Sequence, residues 1–373
     1  MIMIKSIAKL ILALSISTLP VVTPAQQKPV RIGIAGLSHD HIHGLLGRKE
    51  KGDIVIVGIA EPDSGLVERL AKRYGFDKKI VYSSIDEMLR STKPEAVMAY
   101  NDIFGHLEVV EKCAPRGIHV MVEKPLAVSV AHADKMAKLA KKNNIQILTN
   151  YETTWYGSNT EAYKVVNEEE QIGEILKIEF HTGHQGPVEI GCSKEFLAWL
   201  TDPVLNGAGA LNDFGCYGAN LSTWLMKGET PVSVTAVTHT NKPQVYPNVD
   251  DEASIIVQYP YNQVIIQASW NWPYNRKEMK IYGQSGYVFC RDTENMTVFK
   301  SKEKKATDKA APALNEDRND AFSYFARVVR GEINPQPYDL SALPNNEVVV
   351  KILEMAKKSA ENGKTIVWKE YFK

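Results

Sequence analysis

The sequence predicts an α/β protein: an N-terminal domain built on a doubly wound parallel sheet, then an α+β domain with an open, largely antiparallel sheet. Strand and helix patterns alternate over residues 30–150, which is typical of a parallel sheet covered on both faces. After residue 150 several strand patterns follow one another with short turns. The length of 373 residues leaves room for two domains at roughly 150 residues each.

The alternating region, residues 26–150, forms the first predicted domain. β-branched and apolar runs mark its strands, and Gly75 and Gly117 stand where helical stretches should end. We expect strands at 30–36, 53–61, 79–82, 96–100, 119–123 and 145–149. Helices are expected up to residue 45 and over 66–74, 85–89, 105–116 and 129–143.

The second predicted domain covers residues 151–373. Its expected strands are 174–182, 232–240, 253–259, 264–269 and 278–282, with helices at 163–170, 317–329 and 342–362. The last four strands are close in sequence, so we expect them to pair antiparallel with one another. The lysine-rich stretch 300–309 is interpreted as a solvated loop.

The first 25 residues have the pattern of a secretory signal. Lys5 and Lys9 precede a short apolar run, and small residues ending at Ala25 offer a cleavage site. The run is short for a membrane span, although an uncleaved anchor stays open as the alternative. The expectation is an exported, periplasmic protein with no stable membrane insertion after cleavage.

Composition limits the classes of partner. The chain is 44% hydrophobic and 24% charged, with 44 Lys+Arg against 44 Asp+Glu. Such a composition predicts a folded protein, and the lack of a basic excess argues against a nucleic-acid partner. The four cysteines, Cys113, Cys192, Cys216 and Cys290, fit no zinc spacing. Their pairing stays open.

The first strand-to-helix turn, residues 33–44, is a candidate dinucleotide site. The usual G-x-G-x-x-G positions fall on Gly36, Ser38 and His41, and only the first is glycine. The next strand ends at Glu61, where an acid can bind the ribose hydroxyls and repel a 2′-phosphate. We therefore expect NAD, with NADP the less favoured alternative. His39, His41 and His43 are poorly spaced for a metal, so no metal is expected and cofactor contact is preferred.

A lysine at the end of a buried strand is the strongest candidate for chemistry. Residues 119–122 are a β-branched run that ends in Glu123, Lys124 and Pro125. Ligands of open α/β sheets bind at the carboxyl ends of the strands. Lys124 should therefore project into a crevice on a rigid support.

Several blocks in order resemble the glucose–fructose oxidoreductase, inositol dehydrogenase and MocA (Gfo/Idh/MocA) family. They are the Gly36 turn, Glu61-Pro62-Asp63, Asn101 with His106, Glu123-Lys124-Pro125-Leu126, and the stretch from Gly209 through Asp213 and Tyr217 to Asn220. The resemblance implies a Rossmann domain, an oligomerising α+β domain and a dimer or tetramer. It places Lys124 by the nicotinamide after an often-cis peptide bond, Asp213 and Tyr217 in the substrate pocket, and Asn101, His106 and Glu123 near the cofactor.

These residues suggest a mechanism of hydride transfer from a sugar hydroxyl. Removal of the hydride requires a base at the hydroxyl proton, and we expect Tyr217 to exchange that proton while Lys124 orients the oxygen, or the reverse. Burial beside a positive nicotinamide should lower the pKa of Lys124, and the ammonium should lower the pKa of Tyr217. Trp155 and His184 are expected to bind the carbohydrate together with Lys124, Asp213 and Tyr217.

The favoured function is an exported NAD-dependent oxidoreductase that moves a hydride between a sugar, polyol or glycoside hydroxyl and a tightly held nicotinamide. Tight holding is expected because little free cofactor is available outside the cytoplasm. Two alternatives stay open: a redox-cycling glycosidase or lyase that acts through a keto-sugar intermediate, and a non-catalytic sugar sensor on the same fold.

Overall fold

The structure is a computed structural model that describes residues 28–315 and 318–373. The expected signal segment, residues 1–25, lies outside the described residues, so its cleavage stays a prediction. Within the described part, no helix is both long and apolar enough to cross a membrane.

The N-terminal elements build a six-stranded sheet of order β3-β2-β1-β4-β5-β6 in which every neighbouring pair is parallel. The predicted doubly wound sheet is therefore confirmed. Its elements are β1 (Val30–Ala35), α1 (Ile42–Leu46), β2 (Ile54–Ala60), α2 (Ser64–Tyr74), β3 (Val81–Tyr82), α3 (Ile85–Thr92), β4 (Ala96–Ala99), α4 (His106–Cys113), β5 (His119–Glu123), α5 (Val130–Asn143) and β6 (Ile147–Asn150).

Local chemistry explains where several of these helices begin and end. The Asp63 carboxylate accepts hydrogen bonds from the first amides of α2, and the Ser84 and Ser129 hydroxyls do the same for α3 and α5. Gly75 ends α2 in the left-handed conformation. The central strands β4 and β5 are almost wholly buried, so the side chains at their carboxyl ends lie at the base of a cleft.

The C-terminal elements build a nine-stranded sheet of order β14-β13-β12-β11-β7-β10-β9-β8-β15. They are α6 (Gly157–Tyr163), β7 (Ile175–Gly183), α7 (Lys194–Leu200), α8 (Ala210–Asp213), α9 (Gly215–Leu225), β8 (Ser233–His239), β9 (Glu252–Gln258), β10 (Gln263–Ser269), β11 (Arg276–Gly283), β12 (Gly286–Cys290), β13 (Asn295–Lys300), β14 (Lys305–Ala310), α10 (Ala321–Val329), α11 (Leu343–Asn362), β15 (Ile366–Val367) and α12 (Trp368–Tyr371). All neighbours are antiparallel except β7 and β10, which confirms a largely antiparallel sheet.

The expected pairing of the last four strands is wrong at one position. β8, β9 and β10 are antiparallel neighbours, but β7 lies between β10 and β11 and runs parallel to β10. The connection 270–275 is long enough to pass over one strand, because strands two places apart in a sheet are only about 10 Å apart. Nearness in sequence therefore did not determine which strands pair.

Two further expectations for this domain are corrected. The lysine-rich stretch is not a loop: Lys305–Ala310 forms β14, paired with β13. An exposed edge strand tolerates lysines, which discourage pairing with other chains. The helix expected at 163–170 begins earlier, at Gly157, and residues 164–168 form a π-helical turn.

Helix α9 packs directly on the inner face of the second sheet. A Cβ at Gly218 would lie 2.7 Å from side-chain carbons of Ile266 on β10, so only glycine permits this close approach. The helix is buried on nearly every side. Tyr217, one residue before this contact, is therefore held on a rigid support. Cys113, Cys192, Cys216 and Cys290 are all free thiols.

Candidate active site

A buried ion pair joins the two domains at the carboxyl end of β5. Lys124 Nζ donates to the Asp213 carboxylate and also, at 3.1 Å, to the Asp213 carbonyl. Both side chains are almost fully buried, and the Lys124–Pro125 peptide bond is cis, as the family resemblance implied. The two catalytic candidates of different domains are thus in direct contact.

Tyr217 lies against this pair. The Lys124 ammonium is 5.2 Å from the centre of the Tyr217 ring and 5.8 Å from that of Phe214. Asp213 and Tyr217 lie on different helices, since Asp213 ends the short helix α8 and α9 begins at Gly215. The break at Phe214 does not separate them, since both line the same cavity.

The pKa shifts in this cluster are opposite to those expected. Burial lowers the pKa of Lys124, but the surrounding acidic groups, Asp213 foremost, together outweigh it and raise the pKa above its ordinary value. For Tyr217, burial raises the pKa well above its ordinary value, and the negative charge of Glu152 raises it further. The expectation omitted both carboxylates. Both groups therefore carry their protons at neutral pH in the protein alone.

Trp270 completes the surroundings of Asp213. Its indole N–H donates to the second carboxylate oxygen at 2.9 Å, and the side chain is fully buried at the end of β10. The charge and hydrogen bond of Lys124 chiefly hold the pKa of Asp213 below its ordinary value, with a smaller contribution from the Trp270 bond, against the effect of burial, which raises it. Trp270 therefore belongs both to the hydrophobic core and to the site. Its ring packs in the core, and its N–H orients the Asp213 carboxylate.

The cavity at this cluster has a volume of about 320 Å³, within the range of small-molecule sites. Lys124, Asp213, Tyr217 and His184 line it, together with Asp40, His41, Glu152, Gln185, Ile190, Cys192, Phe196, Phe214, Asn275 and Lys277. Burial lowers the pKa of His184 to about 4, so its ring is neutral at neutral pH. A larger cavity, about 760 Å³, lies between α5 and the start of α11, and none of the predicted site residues line it.

Trp155 is the predicted substrate residue that the structure does not bring to this cavity. Its ring packs on Tyr324 and lines a different cavity, while its N–H donates to Asn150 at 3.1 Å. Trp155 is the last residue of the 3-10 turn after β6. Glu152, at the start of the same turn, lines the cavity at Lys124 instead, and no sequence pattern indicated this position.

The cofactor turn is built around Gly36. This residue has φ +80°, and a Cβ there would lie 2.8 Å from the Asn101 Cβ, so glycine is required for the close approach of β1 and β4 ends. Glu61, at the end of β2, accepts amide hydrogen bonds from Leu37 at 2.8 Å and Asp63 at 2.9 Å. Burial raises the pKa of Glu61. Each carboxylate oxygen retains a lone pair for a further donor.

Three buried polar atoms at this edge have no hydrogen-bond partner among the described residues: His39 Nε2, Asn101 Oδ1 and His106 Nε2. His106 Nδ1 donates to the Leu126 carbonyl at 3.1 Å, so Nε2 offers a lone pair, and burial lowers the His106 pKa to about 4. Unsatisfied buried groups are costly, and all three residues were predicted cofactor contacts. The residues present therefore fit a dinucleotide along this edge.

His39, His41 and the Glu123 carboxylate form the one described group that could hold a metal, with ligand atoms within 4.8 Å of one another. Hydrogen bonding argues against that use. His39 Nδ1 accepts from the His41 amide at 3.2 Å, so its proton lies on Nε2, which then cannot ligate. Burial lowers the pKa of His39 well below its ordinary value. His39 therefore offers a neutral N–H donor, and the absence of a metal stays a prediction.

The second domain covers the cofactor turn through α7 and the residue before it. The Asp40 carboxylate accepts from the Ser193 amide at 2.9 Å and from its hydroxyl at 2.6 Å. Trp199 Nε1 donates to the Ser38 carbonyl at 3.4 Å, and Arg69 on α2 pairs with Glu195 at 2.7 Å. This cover was not apparent from the sequence, because its partners are far apart along the chain.

Comparison with known proteins agrees with this architecture. The model described as "Oxidoreductase family, NAD-binding Rossmann fold" matches residues 30–151, and the GFO/IDH/MocA C-terminal domain model matches residues 161–289. The chain is 23% identical over 310 residues to trans-1,2-dihydrobenzene-1,2-diol dehydrogenase of Xenopus tropicalis, covering 82% of this chain and 89% of that protein.

Two solved structures show the same fold at low identity. An inositol dehydrogenase homologue from Azotobacter vinelandii, complexed with NAD+, has a TM-score of 0.77 at 16% identity and covers 91% of this chain and 98% of its own. The aldose-aldose oxidoreductase of Caulobacter crescentus, complexed with glycerol, has a TM-score of 0.75 at 20% identity and covers 91% and 100%. The chain belongs to the Gfo/Idh/MocA family of NAD-binding oxidoreductases.

Proposed function

We propose that this protein is an exported NAD-dependent oxidoreductase that moves a hydride between a sugar, polyol or glycoside hydroxyl and a tightly held nicotinamide. One observation carries the proposal: the Lys124–Asp213 pair is buried at the carboxyl end of β5 and faces Tyr217 in a cavity of small-molecule size. This is where the cofactor edge of the first sheet meets the second domain.

The chain's own residues supply the proton chemistry. Lys124 donates to the substrate oxygen and polarises it, while Asp213 holds the ammonium in place. Tyr217, once it has released its own proton to solvent, receives the hydroxyl proton as the hydride leaves. When bound, the nicotinamide supplies the hydride acceptor, and its positive charge favours loss of a proton from these neighbours. The reverse division of roles between Lys124 and Tyr217 gives the same overall chemistry.

The cofactor contacts support NAD in place of NADP. Glu61 ends β2 as a buried carboxylate, positioned to accept from ribose hydroxyls and to repel a 2′-phosphate. His39, Asn101 and His106 offer one N–H and two acceptors to the rest of the dinucleotide. The cover formed by Ser193 and α7 over the turn supports slow release.

Relatives with established names support the substrate class. They include the trans-1,2-dihydrobenzene-1,2-diol dehydrogenase, a myo-inositol 2-dehydrogenase of Thermotoga maritima and an aldose-aldose oxidoreductase. Two of these names are of dehydrogenases that act on a diol and on inositol, and the third is of an oxidoreductase that acts on aldoses. His184 in the cavity offers one of the polar contacts that such a substrate needs.

Export and cofactor retention belong together in this proposal. The basic and apolar pattern of residues 1–25 supports secretion to the periplasm. An enzyme outside the cytoplasm must recycle its nicotinamide in place. The covered turn therefore also favours the second candidate, a redox-cycling glycosidase or lyase that forms a keto-sugar and returns the hydride, with no net NADH.

We also propose that the protein is a homo-oligomer through the outer face of the second sheet. Val237 is 69% exposed and Ile256 38% exposed on neighbouring strands of this face. Tyr287 and Phe299 stack at 5.3 Å further along it. An open sheet face with apolar side chains is typical of a subunit interface.

Denaturation of the purified protein and identification of the released nucleotide test the cofactor proposal. We expect about one NAD per chain without any added. A panel of sugars, polyols and aryl glycosides then separates the functions: reduction of nicotinamide supports the oxidoreductase, and aglycone release without net NADH supports the redox-cycling enzyme. Binding of both ligands without chemistry would establish the sensor. Protein with no nucleotide and no saturable NAD binding contradicts the proposal.

A further inference from the structure

A second lysine–carboxylate pair lines the same cavity as Lys124. Lys277 Nζ lies 2.8 Å from Glu152, and the Tyr156 hydroxyl donates to the other Glu152 oxygen at 2.6 Å. Lys277 alternates along β11 with Met279 and Ile281, which are core residues. Its ammonium, on a side chain only 10% exposed, is therefore on the inner face of the sheet, where an unpaired charge is costly.

Both pairs lie close to one aromatic ring. Lys124 Nζ is 5.2 Å and Lys277 Nζ 5.6 Å from the centre of the Tyr217 ring, and each ammonium has its own carboxylate. One pair comes from β5 and α8, the other from β11 and the turn after β6. Because both lysines line one cavity, a single ring that binds to Lys124 can present another of its oxygens to Lys277.

We propose that Lys277 and Glu152 bind a second hydroxyl of the substrate, so that the site takes polyhydroxylated rings in preference to simple alcohols. A hydroxyl can accept from the ammonium and donate to the carboxylate at the same time, which matches the pair as it stands. This inference rests on the proposed function and names the specificity residues of that same site.

A purely structural bridge between β11 and the turn after β6 predicts different behaviour. Loss of a bridge would lower stability and act on all substrates alike. Arg276 is the matched control, because it neighbours Lys277 on the same strand, faces the opposite side and forms an ion pair with Glu278 at 2.7 Å. Replacing Arg276 therefore shows what the loss of a neighbouring ion pair does when that pair lies outside the cavity.

The experiment compares wild type, Lys277→Met, Glu152→Gln and Arg276→Met, each loaded with NAD. The probes are D-glucose, methyl β-D-glucopyranoside, myo-inositol and the deoxy analogues of whichever of these reduces the bound nicotinamide fastest. We expect Lys277→Met and Glu152→Gln to raise KM about 10- to 100-fold, the scale of a hydrogen bond to a charged group. NAD content should be unchanged, and Arg276→Met should behave as wild type.

The decisive readout is coupling between enzyme and substrate. One deoxy analogue should show the same rise in KM with wild type, and for that analogue Lys277→Met should cause no further rise. Additive effects of variant and deoxygenation at every position, or an unchanged KM in both variants, would overturn the inference while leaving the proposed function intact. If the wild type reduces its nicotinamide with none of the sugars, the proposed function fails and the inference fails with it. If Lys277→Met does not fold, the same comparison of KM values is made with Glu152→Gln.

Discussion

The two ends of the cleft between the domains differ in how closely they follow the family pattern. At the catalytic end Lys124, Asp213 and Tyr217 converge as the resemblance implied. At the cofactor end two of three turn glycines are replaced, α1 has only five residues, and the second domain covers the turn through Ser193 and α7. The comparison teaches that the residues at the catalytic end follow the family pattern, while the turn at the cofactor end departs from it.

The largest effect should come from the catalytic end. Lys124→Met removes the ammonium proposed to polarise the substrate oxygen, and we expect turnover to fall about 10³-fold, within the usual range for acid–base groups. NAD content should stay within a few-fold of wild type. Steady-state turnover and nucleotide released on denaturation measure the two quantities. Lys112→Met is the control, because Lys112 pairs with Asp86 on the surface and should be silent.

The pH dependence of kcat/KM tests the acid–base assignment at the catalytic end of the cleft. The pKa values of Lys124 and Tyr217 are both raised, so the unprotonated form needed to accept the hydroxyl proton becomes more abundant as pH rises. We expect kcat/KM for oxidation to increase about tenfold per pH unit between pH 6 and 8. Tyr217→Phe should flatten this dependence if Tyr217 is the base. A bell-shaped wild-type profile centred near pH 6 would contradict the assignment.

Trp270 links the catalytic end to the core. Trp270→Phe keeps most of the packing but removes the N–H that orients Asp213, and we expect kcat to fall about 10- to 30-fold, the scale of one charged hydrogen bond. KM for the sugar and NAD content should change less than kcat. Trp272→Phe is the matched control, since Trp272 lies beside Arg276 on the outer face of the sheet. Equal losses of kcat in Trp270→Phe and Trp272→Phe would show that the effect comes from packing and not from the lost hydrogen bond.

The cofactor end should show the smallest effect. Asp40→Asn weakens two hydrogen bonds to Ser193, and we expect NAD to dissociate about tenfold faster while turnover on bound NAD changes little. Stopped-flow displacement of NAD measures the rate. Arg69→Gln should change it less than about threefold, because the Arg69–Glu195 pair is partly exposed and such pairs contribute little. If NAD dissociates more slowly from Asp40→Asn than from wild type, the cover formed by Ser193 and α7 does not retain the cofactor.

Sequence reasoning predicted the elements whose signal is local. The strand that ends at Lys124, the turn at Gly36 and the acid at Glu61 all depend on a few neighbouring residues, and the structure places each at the expected sheet edge. The position of Tyr217 came from a motif within one stretch of chain. The strand order of the second sheet could not be predicted in the same way. β7 lies between β10 and β11, although β10 and β11 are consecutive in the chain.

Residues missed by the sequence analysis act across long separations. Lys277 could have been noticed, since it shares a strand face with Met279 and Ile281 and a lysine there is unusual. Glu152 had no such signal, and the pKa directions of Lys124 and Tyr217 depended on carboxylates whose positions only the fold supplies. The contact between Asp40 and Ser193 likewise requires both domains to be in place.

Transfer of deuterium from substrate to cofactor tests the central claim most directly. The NAD-loaded protein is mixed with a sugar deuterated at successive ring carbons and quenched within one turnover, and the released nucleotide is weighed by mass spectrometry. The account predicts that one labelled position adds a deuterium to the nicotinamide in wild type, and that Lys124→Met, still loaded with NAD, shows none. Unlabelled nucleotide from every position in wild type, or equal labelling in both proteins, would contradict it.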